Sequence, residues 1–410
     1  MRNSLFYLFP HLFKYACVIS VLLFLWLLSF STFAATYEDD LSFIKQYDTP
    51  IILSADQGTK QIIISAKHQA RVMTSSANGM SGLSNGWFDY QAIKNNKSSG
   101  GEDRFWLAPI GTKHSLYYPQ GEHFVGEQWF VPKAFSSQVY PLVSVTPNTA
   151  LFKTELRVNN MSGTAFYVNL KRKITLFDVS DVVVKLNIPV DVLEIFEHVA
   201  FGSDNTMTNL GQNFNSNQDA VTIWILGTFH GTENTTAIIP VQDKKLSTYP
   251  IKKYLNSFDN TRLKQRNNVV FFKVDGRYRS KIGISSQASS NIMATYHPEF
   301  NRLTVVKFSI SNAQQYPIAV ESDVPLNSVG DITNIYNHGG IKSNNSATPF
   351  FFELESAAAM KPLKHNESIR HQHDTFHFFG KPSQLSLLTQ QLLALDIDDI
   401  NAVFSSGVNH

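Results

Sequence analysis

Two acids sit inside an aromatic run, Phe350-Phe351-Phe352-Glu353-Leu354-Glu355-Ser356. The run favours a strand, and a strand sends alternate side chains to opposite faces. Glu353 and Glu355 are therefore expected on one face, with Phe352 and Leu354 on the other. A buried carboxylate is costly unless it is paired or used. One use is as a general base, its proton affinity raised by apolar surroundings and by the second acid two residues away. The plain alternative is a half-buried strand with both acids in water.

A second block with chemical capacity is Gly100-Gly101-Glu102-Asp103-Arg104-Phe105-Trp106-Leu107-Ala108-Pro109. Arg104 offers a planar fork for paired hydroxyls or a carboxylate. Asp103 accepts from hydroxyls, and Trp106 offers a flat apolar face. The bland reading is an Asp–Arg pair at a strand entrance. Arg71, Arg279 and Lys281 add positive charge elsewhere, and only if they converge with Arg104 do they favour an anionic ligand. Asn334, Tyr336 and Asn337 read as loop residues able to bind hydroxyls. His371-x-His373 puts two imidazoles on one strand face, a spacing that can chelate zinc. Polar alternation on a strand explains it equally, and no metal site is assigned.

The aromatic run continues through a turn into Leu363-x-x-x-Glu367-x-x-x-His371 and a further aromatic strand. This order resembles the C-terminal signature of aldose 1-epimerases and their relatives in the galactose mutarotase-like superfamily. The Gly-Gly-Glu-Asp-Arg-Phe-Trp block is similar to one in uncharacterised, mostly secreted bacterial proteins of that superfamily. Arg71–Ser76, Ser203–Asn209, Tyr278–Ile284 and Asn334–Asn337 resemble other blocks of the same group. The similarity extends from about Phe43 to about Phe404. Where those proteins tend to have Gly-Pro-Glu-Gly-Gly, this chain reads Ala108-Pro109-Ile110-Gly111-Thr112, so an acid is missing.

The resemblance implies an all-β, galactose mutarotase-like supersandwich with an open concave face, and a carbohydrate ligand without cofactor or metal. It also implies that Glu355 is the general base. Mutarotation needs a base at the anomeric hydroxyl and an acid at the ring oxygen, each worth roughly two to four orders of magnitude. Aldose 1-epimerases use a His in an Asn-His-x-Tyr-like loop as the acid, and no such motif occurs here. The nearest imidazole is His230, in Trp224-Ile225-Leu226-Gly227-Thr228-Phe229-His230. A lone His beside a Phe also reads as structural, and His114, His123 and His338 have no better claim.

Composition narrows the setting. Arg2 and Lys14 precede an apolar run from Ala16 to Phe30, and Thr32-x-Ala34 has signal-peptidase spacing. The expectation is a leader over 1–34 and a periplasmic or secreted protein; the alternative is an uncleaved anchor, the one case with a membrane partner. Loss of Arg2 and Lys14 takes the 35 basic residues to 33, against 33 acidic ones. A neutral chain argues against nucleic acid, which needs a basic footprint. The one cysteine, Cys17, lies in the leader, so the rest carries no disulfide or thiolate chemistry.

The elements that must position these residues are mostly strands. Residues 61–66, 150–158, 164–170, 221–226, 269–274 and 303–308 are β-branched or aromatic and bounded by turn residues. Asn159–Gly163 reads as a hairpin turn. Short helices are expected at 40–47 with Asp39 or Asp40 as cap, within 192–200 after Asp191, and within 398–404. The clearest starts at Pro382 or Ser383 and runs to Leu395, about 383–395, with Ser383 as cap and Leu385, Leu388, Leu392 and Leu395 on one face. No linker interrupts 35–410, which is read as one domain. The expected function is secreted carbohydrate binding or processing, with epimerisation at the anomeric carbon as the first reaction. The alternatives are a non-catalytic periplasmic glycan-binding or assembly component, or an accessory to acidic-polysaccharide lyases or hydrolases.

Overall fold

Period-two alternation governs most of the structure, a computed structural model that describes residues 35–97, 99–121, 128–214, 220–311, 315–318, 330–339 and 350–405. The expected leader over 1–34 and His123 lie outside the described residues. The described residues from Thr36 onward form one compact unit.

Two antiparallel sheets carry the architecture. The larger has ten strands. Its central members are Arg302–Phe308, Ser368–Phe379, Glu197–Asn209 and Ala165–Leu176. The smaller has six, in the order Lys252–Leu255, Ser280–Ile284, Thr333–Asn337, Phe351–Ala357, Thr222–His230 and Arg104–Ala108. A three-stranded sheet, 51–76, packs alongside. Every strand expected from the sequence is present, and Thr149–Asn159 pairs with Ala165–Leu176 as a hairpin around the Asn-Met-Ser-Gly turn.

Alternation divides each sheet. In the large sheet, Phe376 and Phe378 point outward and are covered by Leu385, Leu388, Ile397 and Ile400 of two C-terminal helices. His371, His373, Thr375 and His377 take the inner face. In the small sheet, Ile223, Phe352, Leu354, Ile282 and Ile335 face inward as core. Glu353 and Glu355 therefore fall on the outer face, as the pattern of Phe352 and Leu354 requires. Between the sheets the core is partly polar: the Ser356 hydroxyl lies 2.7 Å from His371 Nε2 and 2.8 Å from His373 Nδ1. The two imidazoles of His371-x-His373 thus share one strand face and one hydroxyl.

Helix starts differ from expectation. The first helix is Tyr37–Ile44, capped by Thr36, whose hydroxyl accepts from the Asp39 N–H. Asp39 is the return partner in that capping box, and Asp40 is buried against Ser84 and Tyr90. Asp191 lies inside the one-turn helix Val190–Leu193, and the chain then becomes the strand Glu197–Asn209. The β-rich stretch after Phe196 is claimed by pairing with Ser368–Phe379. The C-terminal helix is Pro382–Leu393, so Ser383 is an exposed first-turn residue and not the cap. Instead, Gln384 Oε1 accepts from the Lys381 N–H at 2.8 Å. Val179–Leu186, capped by Asp178, is a helix the periodicity did not flag. Among the described residues, no helix is long and apolar enough to cross a membrane.

Candidate functional site

The outer face of the six-stranded sheet gathers charged and aromatic side chains by register. Glu355 stands opposite Asn334 on one neighbouring strand and Leu226 on the other. Glu353 stands opposite Tyr336 and Thr228. Tyr336 stands opposite Lys281, and Arg104 opposite Leu226. Directly opposed residues share a face, so five strands, from the one carrying Arg104 to the one carrying Glu355, deliver side chains to one surface.

The contacts are two ion pairs. Arg104 Nη2 donates to Glu353 Oε1 at 2.7 Å, and the same oxygen accepts from Thr228 Oγ1 at 3.3 Å. Lys281 Nζ donates to Glu355 Oε2 at 2.9 Å, and Trp224 Nε1 donates to that oxygen at 3.1 Å. Glu355 is fully buried and Lys281 nearly so. Burial pushes the Glu355 carboxyl up to about 7; Lys281 opposes this and Glu353 adds to it. Arg104 lies over Trp106, its guanidinium carbon 4.5 Å from the ring centroid.

Several buried polar atoms on this face have no partner among the described residues: Glu355 Oε1, both amide atoms of Asn334, Trp106 Nε1 and Arg104 Nε. Native interiors pair nearly all such atoms. They belong to residues that register places on the same face as the two ion pairs.

The sequence candidates divide sharply. Arg104, Trp106, Lys281, Tyr336, Glu353 and Glu355 share the outer face. Arg279 joins at the margin through a hydrogen bond to Tyr336, whose hydroxyl also lies 2.9 Å from His338 Nδ1. Asp103 does not join: as the neighbour of Arg104 it points inward, and Arg172 takes it in a fully buried pair. Arg71 is also interior, donating to the Gly100 carbonyl at 2.6 Å. Its aliphatic stem packs on Gly101, where an added Cβ would come within 2.5 Å of Arg71 Cδ and where φ is +96°. The glycine pair thus reflects packing. Asn337 alternates to the inner face and holds a turn, through Asp275, the Gly276 N–H and the Tyr278 carbonyl.

His230 is remote from the base. It stands opposite Phe351, four residues along the strand from Leu226, the partner of Glu355. At ~3.3 Å per residue that is about 13 Å. It lines a separate cavity of about 450 Å³ with Asp40, Trp87 and Tyr90. Burial and Arg302 push its imidazole down to about 4, so it is neutral near pH 7 and has no proton to spare as an acid. Sequence reasoning placed Asn334, Tyr336 and Asn337 in a loop, whereas Thr333–Asn337 is a strand, and it did not select Trp224 or Thr228. Strand register alone assembles them, and register is not written in any one segment.

No match was found among curated proteins. Among solved structures the chain is similar to a galactose mutarotase-like protein from Lactobacillus casei, at 10% identity and a TM-score of 0.49, covering 80% of this chain and 100% of that one. It is also similar to a galactose mutarotase related enzyme from Lactobacillus acidophilus, at 9% identity and a TM-score of 0.45, covering 81% and 98%. A family model matches residues 35–404, nearly all of the described chain, and the protein belongs to that family, described as a family of unknown function (DUF6786).

Proposed function

We propose that the outer face of the six-stranded sheet binds a carbohydrate and that Glu355 transfers a proton at its anomeric hydroxyl. The observation that carries this is the state of Glu355. One oxygen is held by Lys281 and Trp224, the other has no partner among the described residues, and its pKa is raised to about 7. A base with that proton affinity is matched to neutral pH. The resemblance of this strand to the aldose 1-epimerase signature supports the same role.

Lys281 is the group best placed to complete the reaction. Its ammonium touches the base at 2.9 Å, and the anomeric hydroxyl and ring oxygen of a sugar are bonded to the same carbon. Glu355 Oε1 takes the hydroxyl proton while Lys281 supplies one to the ring oxygen, opening the ring. Reversal on the other face of the carbonyl gives the other anomer. Arg104 and Glu353 orient the remaining hydroxyls. The two central cations, Arg104 and Lys281, are each matched by a glutamate, and Arg279 stands at the margin against Tyr336, so the centre of the face favours a neutral sugar over an anionic one. The secreted setting read from the leader belongs to this proposal.

The test is anomer interconversion of freshly dissolved aldoses, followed by polarimetry or NMR. The expected result is acceleration that Glu355→Gln abolishes while circular dichroism shows the variant folded. A second reading, binding without turnover, is favoured by one observation: both glutamates are already ion-paired. Sugar binding that Glu355→Gln weakens, without any acceleration by the native protein, would select it. Absence of both binding and acceleration across neutral and anionic aldoses rejects the assignment of this face.

A further inference from the structure

An aromatic ladder leads away from Glu355 to the surface. Trp224, bonded to Glu355, meets Trp106 edge to face at 5.7 Å, and Trp106 meets Trp129 at 6.4 Å. Trp129 in turn stacks on Tyr117 at 6.1 Å with the planes only 10° apart. The inner rings are occupied: Arg104 covers Trp106, and Trp224 is buried. Trp129 is different. It is 40% exposed, and its neighbour Phe130 is 43% exposed.

A surface indole without a partner normally has rotamer freedom, and isolated exposed aromatics need no explanation. Trp129 is instead held. Tyr117 backs its ring, and the Tyr117 hydroxyl donates to the Leu107 carbonyl at 2.6 Å. The Phe130 N–H donates to the Tyr117 carbonyl at 3.0 Å, fixing the backbone beside the ring. A ring stacked on Tyr117 and still 40% exposed is preorganised for stacking, because little entropy remains to be lost on binding.

Position supplies the rest. The strands carrying Glu355, Trp224 and Trp106 are successive neighbours, so Trp106 lies two strand spacings, about 10 Å, from the base's strand. Trp129 lies beyond it. One sugar ring covers one aromatic ring, so a monosaccharide engaged by Glu355 does not reach Trp129.

We propose that Trp129, with Phe130, forms an outer platform for a further sugar unit, and that the substrate class is a glycan chain rather than a free monosaccharide. This rests on the reading that the Glu355 face binds sugar. The reducing-end residue sits at Glu355, and the chain runs past Trp106 toward Trp129.

The test is calorimetric titration of the full chain with glucose, cellobiose, cellotetraose, galactose, β-1,4-galactobiose and β-1,4-galactotetraose. Affinity in at least one series should rise about tenfold from monosaccharide to tetrasaccharide, the worth of one good aromatic contact. Trp129→Ala should remove that gain and leave monosaccharide affinity unchanged, whereas Trp129→Tyr should retain most of it. Because the ring is half exposed, circular dichroism should show both variants folded. Equal affinity for monomer and tetramer, or a length gain that survives Trp129→Ala, overturns the platform while leaving the Glu355 site standing. No binding at any length, with no effect of Glu355→Gln, overturns both.

Discussion

At the scale of single residues, burial gives Glu355 two measurable signatures. Its folded pKa is raised to about 7 from an ordinary value near 4.5. Between those values the folded chain keeps a proton that the unfolded chain has released. Stability from this group is therefore complete at low pH and falls as pH rises through that window. Relative to native protein, Glu355→Gln should gain stability as pH rises from 4.5 to 7, because the variant has no proton to lose there. Urea unfolding of both proteins at several pH values measures this; parallel curves would count against a raised carboxyl. The rate of anomer interconversion should rise with pH to a plateau above about 7, as the base ionises. The second pair, Arg104 with Glu353, is almost as buried. Arg104→Ala should cost about 3–5 kcal/mol, because it leaves a carboxylate without its cation. Glu353→Gln in that background should recover most of the loss. A denaturation double-mutant cycle reads the coupling, and simple additivity would mean that the pair is not an energetic unit.

At the scale of elements, alternation decides which residues of a motif can act together. Asp103 and Arg104 are neighbours in sequence and strangers in space, one held by Arg172 inside and the other by Glu353 outside. Asn334 and Asn337 part in the same way. The strands are also bonded through their inner faces. Ser356, next to Glu355, joins His371 and His373 across the sandwich. Ser356→Ala should leave ring nitrogens unpaired in a dry interior and lower stability by about 1–3 kcal/mol. Chemical denaturation should show a lower midpoint with an unchanged slope. Monosaccharide affinity should stay near native, because the hydroxyl faces away from the site. An unchanged midpoint would place this bond among the dispensable ones.

At the scale of the whole molecule, the polar interior makes a statement about acid. Burial holds His68, His198, His230 and His373 down to about 4, and His371 to about 3. The unfolded chain protonates these rings near 6.5, before the folded chain does. Their stabilising contribution is therefore complete above that value and is lost as pH falls toward 4. Glu355 and Asp40, the latter raised to about 6, act in the opposite direction over part of the range. His297, His338 and His377 are held down as well, and Asp331 and Asp374 are raised. The histidines outnumber the raised carboxylates and predict a melting temperature that drops between pH 6.5 and 4, and a flat profile there would contradict it. The strands, the hairpin at Asn159–Gly163 and the shared face of Glu353 and Glu355 were legible in the sequence. They follow from local steric preference and a period of two, which any short segment carries by itself. Helix caps were read a few residues astray, because Thr36 and Gln384 were chosen by local hydrogen bonds that several nearby polar residues could have made. Only the tertiary structure set Lys281 and Trp224 on Glu355, Arg104 on Glu353, and His230 away from Glu355. Those partners come from different strands, and register between strands is decided by how the two sheets bury their inner faces together.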